Sequence, residues 1–207
     1  MSKIKKVGVY GGTFSPPHIG HISAAKAFID KEKLDELIIM PTYQSPHKEL
    51  SGSVTPMQRL EMCRLSFSDI DGVSVSDREI SRKGKSYTYL TLSEMMSERS
   101  DIRPIFLCGT DMILTFDKWY RFEDIFKMAD IVYIRRESDE LITEQLKAKT
   151  EEYISKYNAV VRELKTEPIN ISSTELRDMI SKSKATSPYL NKETEEYIKK
   201  WNIYQTK

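Results

Sequence analysis

The residues that could do chemistry begin close to the start of the chain. Of the 3 histidines, His18, His21 and His47, the first two stand three positions apart in the stretch GGTFSPPHIGH. From about His18 the pattern HIGHISAAKAFI reads as a helix, so both imidazoles fall on its first turn and project toward one region. Amide groups and the helix dipole at that end favour an anion. Two imidazoles beside them can donate to phosphate oxygens and stabilise charge that develops during group transfer. Gly11 and Gly12 permit positive φ and a close backbone approach to a ligand. Thr13 and Ser15 add hydroxyls, and Pro16-Pro17 stiffens the entry to the helix. A zinc site would need a third ligand from His47 or from a carboxylate that nothing marks, so the spacing speaks for phosphate. The stretch matches neither GxGxxG nor a Walker A sequence.

A second candidate lies near the other end. Ile171–Arg177 reads ISSTELR, in which Ser172 and Glu175 form an S-x-x-E capping box. By that measure it is an ordinary helix start. The same residues also make an anion site from free amides, the hydroxyls of Ser173 and Thr174, and Arg177, whose guanidinium can clamp phosphate oxygens. Between these ends lie His47 and Lys48, a basic pair that could reach phosphates. Gly109 and Asp111 follow an apolar run, where the carboxylate could bind ribose hydroxyls. Trp119 and Tyr120 stand in polar surroundings that suit a stacking face.

These residues need a scaffold, and the chain supplies one by alternating apolar runs with helical periodicity. Strands are expected at Lys5–Tyr10, Glu36–Met40, Val73–Ser76, Ile105–Cys108, Ile131–Ile134 and Ala159–Leu164. Helices are expected from His18, with a narrow apolar stripe of Ile22, Ala25 and Ile29, and from Thr55-Pro56, where threonine caps and proline follows. Further helices are expected at Thr88–Ser97, Leu141–Lys156 and Ser172–Ser181, and after Asn191. This alternation implies an α/β fold with a doubly wound, mainly parallel sheet and a small C-terminal helical part at about 168–207, all in one domain. Ligands in such sheets sit beyond the carboxyl ends of the strands at the switch point, which is where GGTFSPPHIGH falls. Arg135–Glu140 (RRESDE) is expected to be a solvated loop.

Bulk properties narrow the function classes. Lys plus Arg total 32 against 31 Asp plus Glu, a net charge of +1, so nothing argues for a nucleic-acid surface. With 39% hydrophobic residues and 10% aromatics the chain can bury a core. Cys63 and Cys108 are the only 2 cysteines, too few for a disulfide framework, and are expected to be reduced and buried. No apolar run has membrane-spanning length and no secretory segment precedes the first strand, so a soluble, cytoplasmic protein is expected. Self-association is left open.

GGTFSPPHIGH resembles the GGTFDPxHxGH signature of the HxGH nucleotidyltransferase superfamily, with Ser15 where aspartate is usual. ISSTELR is similar to the superfamily's ISSTxxR motif for the ATP β- and γ-phosphates. Ser86-Tyr87-Thr88 and GTDMILTFDKWY closely resemble the SYT and GADxLxxxxxWY segments of the bacterial nicotinate-nucleotide adenylyltransferases, with Thr110 replacing alanine. The resemblance runs from Val7 to about Lys182. It implies a Rossmann-like enzyme of NAD biosynthesis that joins ATP to nicotinate mononucleotide, giving deamido-NAD and pyrophosphate. By position, Gly11, Gly12, Thr13, Phe14, His18, His21, Gly109, Asp111, Ser173, Thr174 and Arg177 would bind ATP. His47, Lys48, Thr88, Trp119 and Tyr120 would bind the acceptor. Thr88 and Tyr120 would use backbone amides on the nicotinate carboxylate, and Trp119 would stack on the pyridine. His18, His21, Lys48 and Arg177 would stabilise the transition state, with Mg2+ arriving on ATP.

Overall fold

The computed structural model describes residues 4–46, 54–135, 139–166 and 169–205. The chain runs β1 (Lys5–Gly12), α1 (Ile19–Glu32), β2 (Glu36–Pro41), α2 (Pro56–Phe67), β3 (Val73–Val75), α3 (Arg78–Arg82), α4 (Thr88–Glu98) and β4 (Ile102–Gly109). It continues through α5 (Thr110–Ile113), a 3-10 turn at Phe116–Lys118, α6 (Phe122–Met128), β5 (Asp130–Ile134), α7 (Glu140–Tyr157), β6 (Val161–Leu164), α8 (Ser173–Ser181) and α9 (Lys192–Lys200). The strands form one parallel sheet in the order β3-β2-β1-β4-β5-β6. Strand order reverses between β1 and β4, so a crevice opens beyond Gly12 and Gly109.

The doubly wound fold expected from the alternation is therefore present, and its two cores follow the period-2 alternation of the strands. Val7, Val9, Phe106, Cys108, Ile131 and Tyr133 face one side, against α4, α6 and α7. Tyr10, Ile105, Leu107, Val132 and Ile134 face the other, against α1 and α2. Gly8 is required on that second side: a Cβ there would lie 2.5 Å from Leu34 and 2.9 Å from both Leu37 and Phe28. A third apolar cluster joins Met62 of α2 to Leu176, Leu190, Ile198 and Ile203. Beside it the buried hydroxyls of Ser66 and Thr194 pair at 2.8 Å, which docks the C-terminal helices on α2.

Several expectations need correction. The buried side of α1 is Ala24, Ala25 and Phe28; Ile22 and Ile29 flank it, because the helix rolls to let Phe28 reach Gly8. β4 starts three residues early and contains Pro104, which is tolerated because β4 has only β1 beside it until Ile105 meets Asp130 of β5. β6 starts two residues late. The helices α3, α5 and α6 were not expected, since runs of 5, 4 and 7 residues are too short to show periodicity. Asp139 caps α7 by accepting from Leu141 at 2.8 Å, so one end of RRESDE belongs to a helix; residues 136–138 lie outside the described residues.

Candidate active site

β1 does not end at Tyr10 but continues through Gly11 and Gly12, which pair with Met40 and Pro41 of β2. Neither glycine has positive φ; the left-handed residue of the turn is Phe14, at φ 49°. A non-glycine residue pays strain there, and packing holds it. The Phe14 ring is buried edge-on against Tyr10 (5.3 Å), His21 (5.1 Å) and Phe67 (6.1 Å). Gly12 is small because a Cβ would come within 3.0 Å of that ring. The turn thus hands the chain to α1 with its aromatic plug facing inward.

The two histidines meet as expected, with ring centroids 3.8 Å apart, but they also build the helix start. His18 is the N-cap, its Nδ1 accepting from the Gly20 amide at 3.2 Å, and His21 Nδ1 accepts from the His18 amide at 3.2 Å. This is a capping box made of imidazoles. Since each Nδ1 is an acceptor, the proton of each neutral ring resides on Nε2, which each ring presents as a donor. The amides of the first turn are not available to an anion in the way the motif suggested. Ile19 donates to the Tyr189 carbonyl at 2.9 Å, and Gly20 and His21 donate to His18.

ISSTELR satisfies both of its readings. Ser172 and Glu175 form the capping box, and hydrogen bonds from Ser172 hold the Glu175 carboxyl below its ordinary range. The same helix turn reaches back to the start of the chain. Ser173 Oγ donates to the Pro16 carbonyl at 2.9 Å, and Arg177 donates to the Ser15 carbonyl at 2.8 Å and to Thr174 Oγ1 at 3.0 Å. The Ser173 and Thr174 amides have no acceptor among the described residues. Ser15, the departure from the aspartate signature, is buried, and its hydroxyl pairs with Tyr204 Oη at 3.0 Å. Burial pushes the Tyr204 phenol up, so it stays protonated.

One cavity of about 360 Å³ gathers these parts. Gly11, Gly12, Thr13, Phe14, His18, His21, Gly109, Asp111, Ser173, Thr174 and Arg177 line it, and so do Thr88, Trp119 and Tyr120. His47 and Lys48 lie outside the described residues. Gly109 makes room for Asp111, whose Oδ1 would be 2.8 Å from a Cβ at that position. Cys63 and Cys108 are free and buried, as expected, and burial raises both thiols, so neither is a nucleophile at neutral pH. Also on the cavity, α4 begins at Thr88 with no side chain capping it. The amides of Thr88 and Tyr120 have no acceptor among the described residues. Trp119 stacks on buried Phe116 at 4.6 Å and also borders the cavity. Tyr120 is 51% exposed, beside Tyr87 at 5.0 Å.

Two charged residues went unrecognised in the sequence. Glu79 lines the cavity and is buried, its Oε1 accepting from Thr91 Oγ1 at 2.6 Å. Burial raises its carboxyl above the ordinary range, against the opposing bonds from Thr91 and Ser86. Arg59 is fully buried behind the β1 turn. A signal for it existed: Arg59 falls three, four and seven positions before Met62, Cys63 and Ser66 on the buried side of α2. Among the described residues, no group of three or more His, Cys, Asp or Glu could hold a metal ion. No helix among them is long and apolar enough to cross a membrane.

A six-stranded parallel sheet with a histidine pair and the start of α8 gathered at its switch point is the Rossmann-like nucleotidyltransferase fold. The cytidylyltransferase-like family model matches residues 9–179. A protein of Listeria monocytogenes serotype 4a described as "Probable nicotinate-nucleotide adenylyltransferase" is 33% identical over 202 residues, covering 98% of each chain. One of the same description from Lachnoclostridium phytofermentans is 32% identical, covering 97% of this chain and 100% of its own. The chain belongs to the nicotinate-nucleotide adenylyltransferase family. The fold is also that of the Plasmodium falciparum nicotinic acid mononucleotide adenylyltransferase, solved with NaAD, at TM-score 0.74 and 18% identity over 97% of both chains.

Proposed function

We propose that this chain transfers the adenylyl group of ATP to the phosphate of nicotinate mononucleotide, releasing pyrophosphate and forming deamido-NAD. One observation supports this above all: α8 hydrogen-bonds to the turn that carries the histidines, on the wall of a cavity that Thr88, Trp119 and Tyr120 also line. A nonbridging phosphate oxygen of the mononucleotide attacks the α-phosphorus. The bond from that phosphorus to the β-bridging oxygen breaks, and the electron pair leaves with pyrophosphate. The nucleophile is already ionised, so the site needs no base; it needs alignment and positive potential.

His18 and His21 offer Nε2–H donors to the α-phosphoryl group, and Arg177 with the Ser173 and Thr174 amides holds the outer phosphates. Lys48 is assigned to the same phosphates by its charge. Asp111 takes the ribose hydroxyls. The uncapped start of α4 receives the nicotinate carboxylate, with the pyridine against Trp119 and Tyr120 beside it. Donors dominate the phosphate end, so magnesium enters as part of the ATP substrate, held by phosphates and water. The test mixes protein, ATP and magnesium with nicotinate or nicotinamide mononucleotide and follows pyrophosphate and dinucleotide. The expected result is faster turnover with the acid; equal rates refute the carboxylate site, and no turnover with either refutes the activity.

A further inference from the structure

Behind the cavity's wall lies a cation that the reaction scheme above leaves without a role. Arg59, on the inner side of α2, has no exposed surface. Its Nη1 donates to the Thr13 carbonyl at 2.8 Å, and its Nη2 donates to the carbonyls of Thr42 at 2.6 Å and Tyr43 at 3.0 Å. Its Nε is buried with no acceptor, and no carboxylate pairs with it among the described residues. A buried charge without a counter-ion is costly, and an apolar side chain of similar volume fills such a space at lower cost. The guanidinium is therefore present for what it joins.

It joins two loops. Thr13 opens the turn that leads to His18, beyond the end of β1. Thr42 and Tyr43 open the loop beyond the end of β2, which continues through Ser45 and Pro46 along the same cavity. The backbone ties these loops once, from the Thr42 amide to the Gly12 carbonyl at 2.9 Å. The Tyr43 amide in turn donates to Ser86 Oγ at 3.0 Å, in the segment that starts α4. Arg59 is thus the one side chain among the described residues that bonds the ATP-side turn and the acceptor-side loop together. Its planar fork fixes their spacing in a way a lysine ammonium cannot.

We propose that Arg59 is a positioning residue for adenylyl transfer, holding the loop that orients the α-phosphoryl group and the loop on the acceptor side at the separation that in-line attack requires. This rests on the adenylyltransferase reading above. In-line transfer is sensitive to displacements of about 1 Å, each worth on the order of 10²-fold in rate. The tests are Arg59→Lys, which keeps the charge and loses the fork, and Arg59→Met, which keeps the volume and loses both.

Turnover is measured per folded molecule well below each melting midpoint, with wild type run beside them on ATP and nicotinate mononucleotide. For Arg59→Lys the expected result is kcat lower on the order of 10²-fold, with the KM of each substrate within about fivefold of wild type. Arg59→Met is expected to lose at least as much. A purely structural arginine would lower the melting midpoint and leave kcat per folded molecule unchanged in both, which overturns the proposal. Should either variant fail to fold, amide exchange on wild type decides. Adding ATP and magnesium without acceptor is expected to slow residues 9–16 and 39–46 together; slowing confined to 9–16 overturns the coupling. An inactive wild type would refute the adenylyltransferase reading itself, a result distinct from active variants.

Discussion

His21 has two separable jobs, and two substitutions divide them. Its Nδ1 accepts from the His18 amide at the N3 position of the capping box, and its Nε2–H is assigned to the α-phosphoryl group. Gln is a usual residue at N3 of a capping box and supplies an acceptor there, whereas Ala supplies none. His21→Gln is therefore expected to hold stability near wild type while removing the imidazole donor. His21→Ala removes both. Loss of a cap costs about 1 kcal/mol, which in a domain of this size lowers the melting midpoint by about 2–4 °C. Loss of one preorganised donor to developing charge costs about 2.7–4 kcal/mol, a fall on the order of 10²–10³ in kcat.

The two variants should therefore melt apart and turn over alike. Melting is followed by circular dichroism, and kcat by pyrophosphate release with both substrates saturating. A His21→Gln enzyme that keeps more than about a tenth of wild-type kcat refutes the donor role. Equal midpoints for His21→Ala and wild type refute the capping role.

Three further outcomes are expected. Burial raises the Glu79 carboxyl, so the folded chain keeps a proton that the unfolded chain releases near 4.5. Stability from this group is complete below that value and is lost as pH climbs from there toward the raised value. Glu79→Gln has no such titration, so its midpoint relative to wild type should rise as pH climbs above 4.5; a flat or falling difference contradicts the raised carboxyl. Gly8→Ala forces a methyl against Phe28, Leu34 and Leu37 and should cost about 1–3 kcal/mol in chemical denaturation, with no change expected only if α1 shifts freely. Arg177→Ala removes a charged donor worth about 1.5–3 kcal/mol, so kcat/KM for ATP should fall roughly ten- to hundredfold at saturating acceptor, and an unchanged value removes Arg177 from the phosphate site.

What the sequence made legible follows from where the forces are local. A strand buried on both faces must be apolar throughout, so VGVY, ELIIM and IFLC announce themselves, and capping boxes show in three-residue spacings. The paired motifs were legible for a similar reason, because each is a short run with its chemistry on one turn. Arg59 was hidden because a positive charge in a helix reads as solvated, and only the tertiary stacking of two loops against α2 makes its inward position sensible. Glu79 sits in a five-residue helix with no period to read, and its burial depends on Thr91 from another element. The left-handed residue was assigned to glycine by general preference, while packing against Tyr10, His21 and Phe67 gave that conformation to Phe14. The expectation of free amides at α1 failed because the histidines and Tyr189 consume them, and Tyr189 accepts from Ile19 across most of the chain.

The turn Thr13–Pro16 also explains why the start of the chain needs its end. Three of its carbonyls, from Thr13, Ser15 and Pro16, accept from Arg59, Arg177 and Ser173 respectively. A carbonyl oxygen carries partial negative charge, and three of them beside a triphosphate would repel it unless donors from the protein engaged them. Two of those donors come from α8, so the C-terminal helices complete the cavity's wall as well as covering α2. Ser15 fits the same logic. Its carbonyl is held by Arg177 and its hydroxyl by Tyr204 of the last described turn, so the C-terminal part satisfies two polar groups of this buried residue. A carboxylate at this position would lie beside Tyr204, which feels both guanidiniums, and would offset part of their charge.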